Sequence, residues 1–137
     1  MSTTFCTDED VYLRAPLAGD ALARVNTLRA ARSVTATTVD AYRVEARRQV
    51  LLALSARGVA ESEIAVQSAL LDPEAHLAAA LLFEAASVRT DAMQGLVDVF
   101  SSQATLHRAR YAESIAAAQP LGEGLLPRGR VFAWGRA

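Results

Sequence analysis

The feature that most constrains this chain is the stretch from Asp72 to Arg89, which reads DPEAHLAAALLFEAASVR. Its first three residues are typical of a helix start: Asp72 can cap free backbone N–H groups, Pro73 brings a helical φ, and Glu74 complements the positive dipole end. The residues that follow are apolar on most faces, so most faces should be buried. The apolar run Leu77–Phe83 is far shorter than the roughly 20 residues that a bilayer crossing needs. The stretch therefore predicts a central core helix and not a membrane span.

Helix starts, helix ends and apolar periodicity predict further helices on both sides of this one. Thr7 and Asp10 form a capping box for a short first helix, and Gly58 ends a long one in left-handed geometry. Gly19-Asp20 resets the chain, and Gly95 marks a turn. The segment Glu61–Leu71 fits either a strand or a short helix, and we favour the helix. The predicted ranges are Asp8–Arg14, Ala21–Arg32, Val39–Arg57 and Leu96–Gln119. In the second of these the apolar residues are Leu22, Val25 and Leu28, so Arg24 is expected to point away from the core. In the third the predicted apolar stripe is Val39, Tyr42, Ala46, Val50 and Ala53.

The predicted fold is all-α, a small bundle of about four to five helices occupying residues 1–119, of which two or three are long. Residues 120–137 differ in composition, because they are rich in Gly and Pro and carry the single Trp of the chain. A tail too short to hold its own core is expected to dock on a partner. The segment Val131–Trp134 could form a short strand. The candidate partner-binding residues are Leu125, Leu126, Arg128, Arg130, Val131, Phe132 and Trp134.

Composition excludes several classes of protein. The formal charge is −1, with 14 basic and 15 acidic residues, so there is no global attraction to nucleic acid. Every basic residue is Arg, which excludes a catalytic Lys or a phosphate-loop Lys. The single Cys6 cannot pair within the chain, and no secretory signal opens it, which predicts a reducing cytoplasm.

A search for chemistry finds isolated residues and no constellation. His76 and His107 each lack a second His at ligand spacing, so we expect surface or packing roles and no metal. Cys6 precedes a helix start, where the dipole could lower its pKa, but a buried inert thiol is the better interpretation. No phosphate loop, dinucleotide fingerprint, nucleophile elbow or zinc spacing is present. We predict neither enzyme activity nor a cofactor.

Arginines cluster in three places: on the third helix, on the last helix and in the tail. Ordinary solubilisation of the helices explains them best, and contacts with an acidic partner or with phosphates are the alternative. The clusters are Arg43, Arg47 and Arg48; Arg108 and Arg110; Arg128 and Arg130.

The order of these parts resembles that of head-tail connector proteins, or adaptors, of long-tailed double-stranded DNA phages and gene transfer agents. The resemblance covers nearly the whole chain, although its motifs are helix starts and apolar stripes. The segment Gly19–Ser33 is an addition to the family pattern, and Glu61–Leu71 is ambiguous within it. The matching segments are Phe5–Val11, Ala56–Val59, Asp72–Glu74, Asp98–Phe100, Ala104–Tyr111, Ile115–Ala118 and Val131–Trp134.

The resemblance implies a structural virion protein at the neck, made in the host cytoplasm. Relatives form a ring, twelvefold in the family, that docks beneath the portal protein and extends the DNA channel. Double-stranded DNA would pass through the lumen without specific binding, and a stopper or other neck or tail protein would attach below. The tail residues would insert into the portal, and no membrane is involved.

Two other classes of function stay open. A small helical DNA-binding protein, either a transcriptional regulator or a small terminase subunit, is suggested by the Arg clusters and by short helices near both ends. Against it, no helix-turn-helix with a turn of 3 to 4 residues is evident. An enzyme would depend on Cys6 alone.

Overall fold

The computed structural model describes residues 4–87 and 94–121, with the backbone alone for residues 94–98. Within these residues the chain forms five α-helices and two short 3₁₀ helices, and it contains no strand. The predicted all-α bundle of four to five helices is thereby confirmed. The α-helices are α1 (Asp8–Arg14), α2 (Ala18–Ala31), α3 (Val39–Ala56), α4 (Leu71–Ala86) and α5 (Gln94–Ala117).

Helix α4 is the centre of the bundle and packs against all four other α-helices. Its apolar residues are buried on most faces, as the sequence predicted, while Glu84 is exposed. Burial of side chains this size supplies the main stabilising free energy of such a fold. The buried residues of α4 are Pro73, Glu74, Ala75, Leu77, Ala78, Ala79, Ala80, Leu82, Phe83 and Ala86.

The start of α4 differs from the prediction. The helix begins at Leu71 and follows directly from the 3₁₀ helix Gln67–Leu70, so Asp72 is its second residue and not its cap. The Asp72 carboxylate instead accepts from Arg14 Nε at 2.7 Å, which ties α4 to α1. Pro73 still falls in the first turn, where a missing N–H costs no intrahelical bond. The described helix ends at Ala86, before the predicted end at Arg89.

The first two helices lie close together at the N-terminal end. The capping box of α1 is present: Asp10 N donates to Thr7 Oγ1 at 3.2 Å, and Thr7 N donates to Asp10 Oδ2 at 2.8 Å. Helix α2 begins at Ala18, three residues earlier than predicted. Gly19-Asp20 therefore lies inside its first turn, where the helix dipole favours the Asp20 carboxylate. The chain is not reset there.

Helix α3 ends as predicted but buries a slightly different face. Gly58 has φ 84°, and Val59 N donates to Leu54 O at 2.9 Å, which closes the helix while Val59 is buried. Thr38 occupies the cap position, but its hydroxyl makes no capping hydrogen bond. The predicted stripe placed Tyr42 and Ala53 inward, but both are only partly buried. The buried residues are Val39, Arg43, Ala46, Val50 and Leu54.

The ambiguous segment between α3 and α4 is neither strand nor α-helix. It forms the 3₁₀ helices Glu61–Glu63 and Gln67–Leu70, joined by three extended or irregular residues. In that link, Ala65 N and Val66 N both donate to Pro120 O at 2.8 Å. The two backbone donors of this link are thus satisfied by Pro120, which follows α5, and not by a sheet.

Helix α5 packs antiparallel to α4 as the second half of a helical hairpin, with Gly95 inside its first turn and not in the connection. The helix ends at Ala117, two residues before the predicted end, and the buried Pro120 follows. The tail residues predicted to bind a partner, from Leu125 to Trp134, and the possible strand Val131–Trp134 lie outside the described residues. None of the helices in the described ranges has the length and apolar character needed to cross a bilayer.

Candidate functional site

A buried polar cluster holds the N-terminal segment against α3 and α4. Cys6 N donates to Glu74 Oε1 at 2.8 Å, and Arg43 Nη1 donates to Cys6 O at 2.6 Å. Arg43 also donates from Nε to Asp8 Oδ1 and from Nη2 to Asp40 Oδ1, both at 2.6 Å. Arg43 was expected to be a surface residue, but it lies in the buried face of α3 because these acceptors surround its guanidinium.

The electrostatics of this cluster make it structural. Burial raises the pKa of the Glu74 carboxyl, which is fully buried and whose Oε2 has no hydrogen-bond partner among the described residues. Burial also raises the pKa of the Cys6 thiol, and the neighbouring Glu74 raises it further. A thiol kept protonated is a poor nucleophile. The geometry therefore favours the inert buried Cys6 over the reactive one.

Replacing Glu74 by Gln is expected to stabilise the protein most toward pH 8, by about 1 kcal/mol, because burial penalises the ionised carboxyl while the amide keeps the acceptor for Cys6 N. Because the folded-state pKa of Glu74 is raised, Glu74 contributes to the free energy of unfolding below its ordinary pKa, and this contribution is lost as the pH rises. Chemical denaturation between pH 4 and pH 8 measures both effects. Glu74→Ala, which removes the acceptor, should instead destabilise; equal losses in the two variants would contradict this interpretation.

Two histidines that are 31 positions apart meet between α4 and α5. His76 Nδ1 and His107 Nδ1 lie 3.0 Å apart, and the rings are stacked with centroids 5.3 Å apart. At this distance one neutral ring must donate while the other accepts. Sequence spacing gave no sign of the pair, because the two residues are on different helices. His107 falls on the buried face with Phe100 and Ala104, which was the signal available.

The pair is held neutral by its surroundings. Burial lowers the pKa of His107 to about 4, with smaller contributions from His76 and Arg110. Burial also lowers the pKa of His76, and Arg14 lowers it further against the opposing effect of Asp72. Two ligands are fewer than a metal site requires. The described residues bring no group of three or more His, Cys, Asp or Glu side chains together as a metal site.

A third feature is Arg24, which was predicted to point away from the core. It is only 7% exposed, and it shares a helix face with the buried Ala21 and Val25. Its Nε and Nη2 atoms are buried without an acceptor among the described residues. Arg24 lines a cavity of about 320 Å³ between α2 and α5. An Arg at a position that shares the apolar face was the sequence signal for this burial.

The remaining Arg clusters are largely engaged by carboxylates. Arg47 Nη2 donates to Glu61 Oε2 at 2.9 Å, and Arg48 Nη2 donates to Glu45 Oε2 at 2.5 Å. Arg108 is paired with Glu84 across the α4–α5 hairpin, with Nε and Oε2 2.6 Å apart. Arg128 and Arg130 are outside the described residues, like the other tail residues proposed to bind a partner: Leu125, Leu126, Val131, Phe132 and Trp134.

No protein-family model, curated protein or solved structure matches this chain.

Proposed function

We propose that this protein is a head-tail connector subunit of a tailed double-stranded DNA phage or gene transfer agent. The observation that supports the proposal is the order of helices, which resembles the pattern of that family apart from the added helix α2. A short helix with a capping box comes first, α3 closes at Gly58, and Asp72-Pro73-Glu74 lies in the first turn of a central Ala/Leu helix that pairs with α5. In this role the protein would lie in the virion neck as a ring beneath the portal.

A connector subunit needs stiffness, because it transmits contacts between the head and the tail. The apolar surroundings of α4 supply the cohesion, and polar contacts fix how the helices are oriented. Arg57 Nη1 donates to Ile115 O at 2.7 Å, which joins the end of α3 to the end of α5. The Arg14–Asp72 and Arg108–Glu84 pairs join α1 and α5 to α4. Exposed pairs contribute little energy individually, but they restrict relative motion of the helices.

The charge of the chain suits a channel through which DNA moves. A net charge of −1 gives little counterion release when phosphates approach, so a ring of such subunits would not hold DNA. The portal would contact the tail residues from Leu125 to Trp134, and a stopper or other neck protein would contact the opposite side of the ring. An arm that folds on its partner fits the Gly/Pro-rich composition of residues 120–137.

The test is reconstitution with the portal protein encoded by the same genome. We expect the full-length protein and the portal to form a ring complex that is visible by electron microscopy and by sedimentation. Deleting residues 125–137 should abolish the complex, whereas the matched surface variant Leu52→Ser should leave it intact, because Leu52 is 57% exposed on α3. Absence of any complex with the full-length protein would reject the proposed function. Normal binding by the truncated protein would show that residues 125–137 are not needed for the contact with the portal.

A further inference from the structure

The cavity between α2 and α5 combines an apolar wall with one buried cation. Leu17, Val99 and Phe100 supply large apolar side chains, and Arg24 lies among them. Val99 is itself 45% exposed, so the cavity opens to the surface beside an apolar side chain. The complete lining is Leu17, Asp20, Ala23, Arg24, Thr27, Val99 and Phe100.

Arg24 indicates the chemistry of the ligand. A buried guanidinium without an acceptor is costly, because it has lost water and gained no charge partner. The planar fork of Arg matches a carboxylate, which can accept two parallel N–H bonds. Nε and Nη2 are the two nitrogens that lack an acceptor in the described part of the chain, and together they present one edge of that fork. The fitting ligand is therefore a carboxylate attached to an apolar group.

The chain itself carries such a group on α1. Leu13 is 71% exposed, the highest value among the large apolar side chains on the described surface. Glu9 is one turn earlier on the same helix face and is exposed, and none of the described residues pairs with its carboxylate. Other exposed apolar side chains also have an acidic residue one turn away on the same helix, but these carboxylates are paired. Asp8 and Asp40 both accept from Arg43. Glu9 with Leu13 is thus the acidic and apolar pair that the described surface leaves available.

We propose that the α2–α5 cavity binds Glu9 and Leu13 of a second copy of this chain. The Glu9 carboxylate accepts from Arg24 Nε and Nη2, and Leu13 packs against Leu17, Val99 and Phe100. The contact joins two different surfaces. Repeated head to tail, such a contact generates a ring if the rotation closes. Its role as the lateral contact of a connector ring depends on the proposed function, but self-association can be measured without a portal.

The test is sedimentation velocity of the full chain over concentrations up to about 1 mM, the range in which weak contacts are populated. Glu9→Gln and Arg24→Met should each weaken self-association about tenfold or more, since each removes one partner of a charge-assisted pair. Leu13→Ser should weaken it also. Glu113→Gln and Leu52→Ser are matched controls, because both change exposed side chains away from the cavity and from α1.

A double-mutant cycle separates direct contact from an indirect effect. The double variant Glu9→Gln with Arg24→Met should associate no more weakly than the weaker single variant, because both changes remove the same pair. Arg24→Met should also raise the melting temperature of the monomer, since it removes an unpaired buried charge. Loss of association together with higher stability distinguishes a binding residue from a residue needed for folding.

Three results obtained without the portal would overturn the proposal. They are a chain that stays monomeric over the whole concentration range, additive losses in the double variant, and stabilisation of a monomer by added propionate without self-association. The last result would assign the cavity to a small carboxylate ligand. Portal rings that form normally with both Glu9→Gln and Arg24→Met would reject this contact and leave the proposed function standing. Self-association that follows the expected pattern, without any complex with the portal, would support this contact and reject the proposed function.

Discussion

Replacing Phe83 by Ala is expected to lower the free energy of unfolding by about 3–5 kcal/mol, the usual cost of emptying a buried aromatic position. Phe83 lies in α4 and is the largest fully buried side chain among the described residues. Its ring stacks on Phe100 and on His107 of α5, with centroids 6.0 Å and 5.6 Å apart. The substitution therefore removes one aromatic contact between the two helices of the central hairpin as well as the apolar area of Phe83 itself.

Urea denaturation followed by far-ultraviolet circular dichroism measures this loss. A domain of this size is stable by about 5–15 kcal/mol in total, so the variant should unfold at a much lower urea concentration. Leu52→Ala is the control, because Leu52 is 57% exposed and its truncation should change stability by less than about 0.5 kcal/mol. A loss below about 1 kcal/mol in Phe83→Ala would show that the hairpin does not depend on this ring.

Features that depend on neighbours in sequence were predictable. Thr7 and Asp10 satisfy free N–H groups within one turn, and Gly58 adopts a left-handed φ that a residue with a side chain would resist. Both helix boundaries could therefore be predicted from the sequence, and so could the burial of α4 on most faces. Helix starts without a capping box were less certain: α2 begins three residues and α4 two residues before its predicted start.

Features that depend on residues far apart in sequence were not predictable. Glu74 was assigned to the helix dipole, but its carboxylate is buried against Cys6, 68 positions away. The segment Glu61–Leu71 could not be identified because its backbone donors bond to Pro120 O, an acceptor from the other end of the chain. Arg24 was assigned to solvent because it is polar and lies between the apolar positions of its helix, yet it is buried. For Glu74 and for the segment Glu61–Leu71, a tertiary partner decided the outcome, and local preference did not.

These long-range polar contacts cluster at the same helix. In the first turn of α4, Asp72 accepts from Arg14 and Glu74 accepts from Cys6 N. One turn later His76 contacts His107, and near the end of the helix Glu84 accepts from Arg108. A helix with a polar contact along each part of its length is fixed in rotation and in register, which apolar packing alone specifies less tightly. This is the property that a rigid subunit in a ring would need.

Acidification from pH 6.5 to about 4 is expected to cost the wild-type protein up to about 3 kcal/mol of stability through His107 alone. Burial lowers the pKa of His107 to about 4 in the folded protein, so the folded state holds the neutral ring while the unfolded chain takes up a proton. The stabilising contribution is complete above the ordinary pKa of about 6.5 and is lost as pH falls toward 4. Burial lowers the pKa of His76 as well, which adds to the loss in the same direction.

The groups around the pair determine the size of this effect. Arg110 and Arg14 disfavour a further positive charge, and Asp72 opposes them only for His76. Protonation of both rings would also place two N–H donors 3.0 Å apart. Glu74 contributes with the opposite sign, because its raised pKa stabilises the folded state as pH falls. Measuring the Glu74→Gln variant in parallel removes that contribution from the measured pH dependence.

His107→Leu should flatten the dependence of the unfolding free energy on pH between 6.5 and 4, because a buried apolar side chain of similar volume cannot take up a proton. The substitution should change the free energy of unfolding less at pH 7 than at pH 4, since the neutral ring is only a packing group at the higher pH. His76→Gln is the companion variant: it keeps a hydrogen-bonding partner for His107 but removes the second titrating ring, so part of the slope should persist. Parallel pH profiles for the wild type and His107→Leu would show that the acid sensitivity of the bundle arises elsewhere.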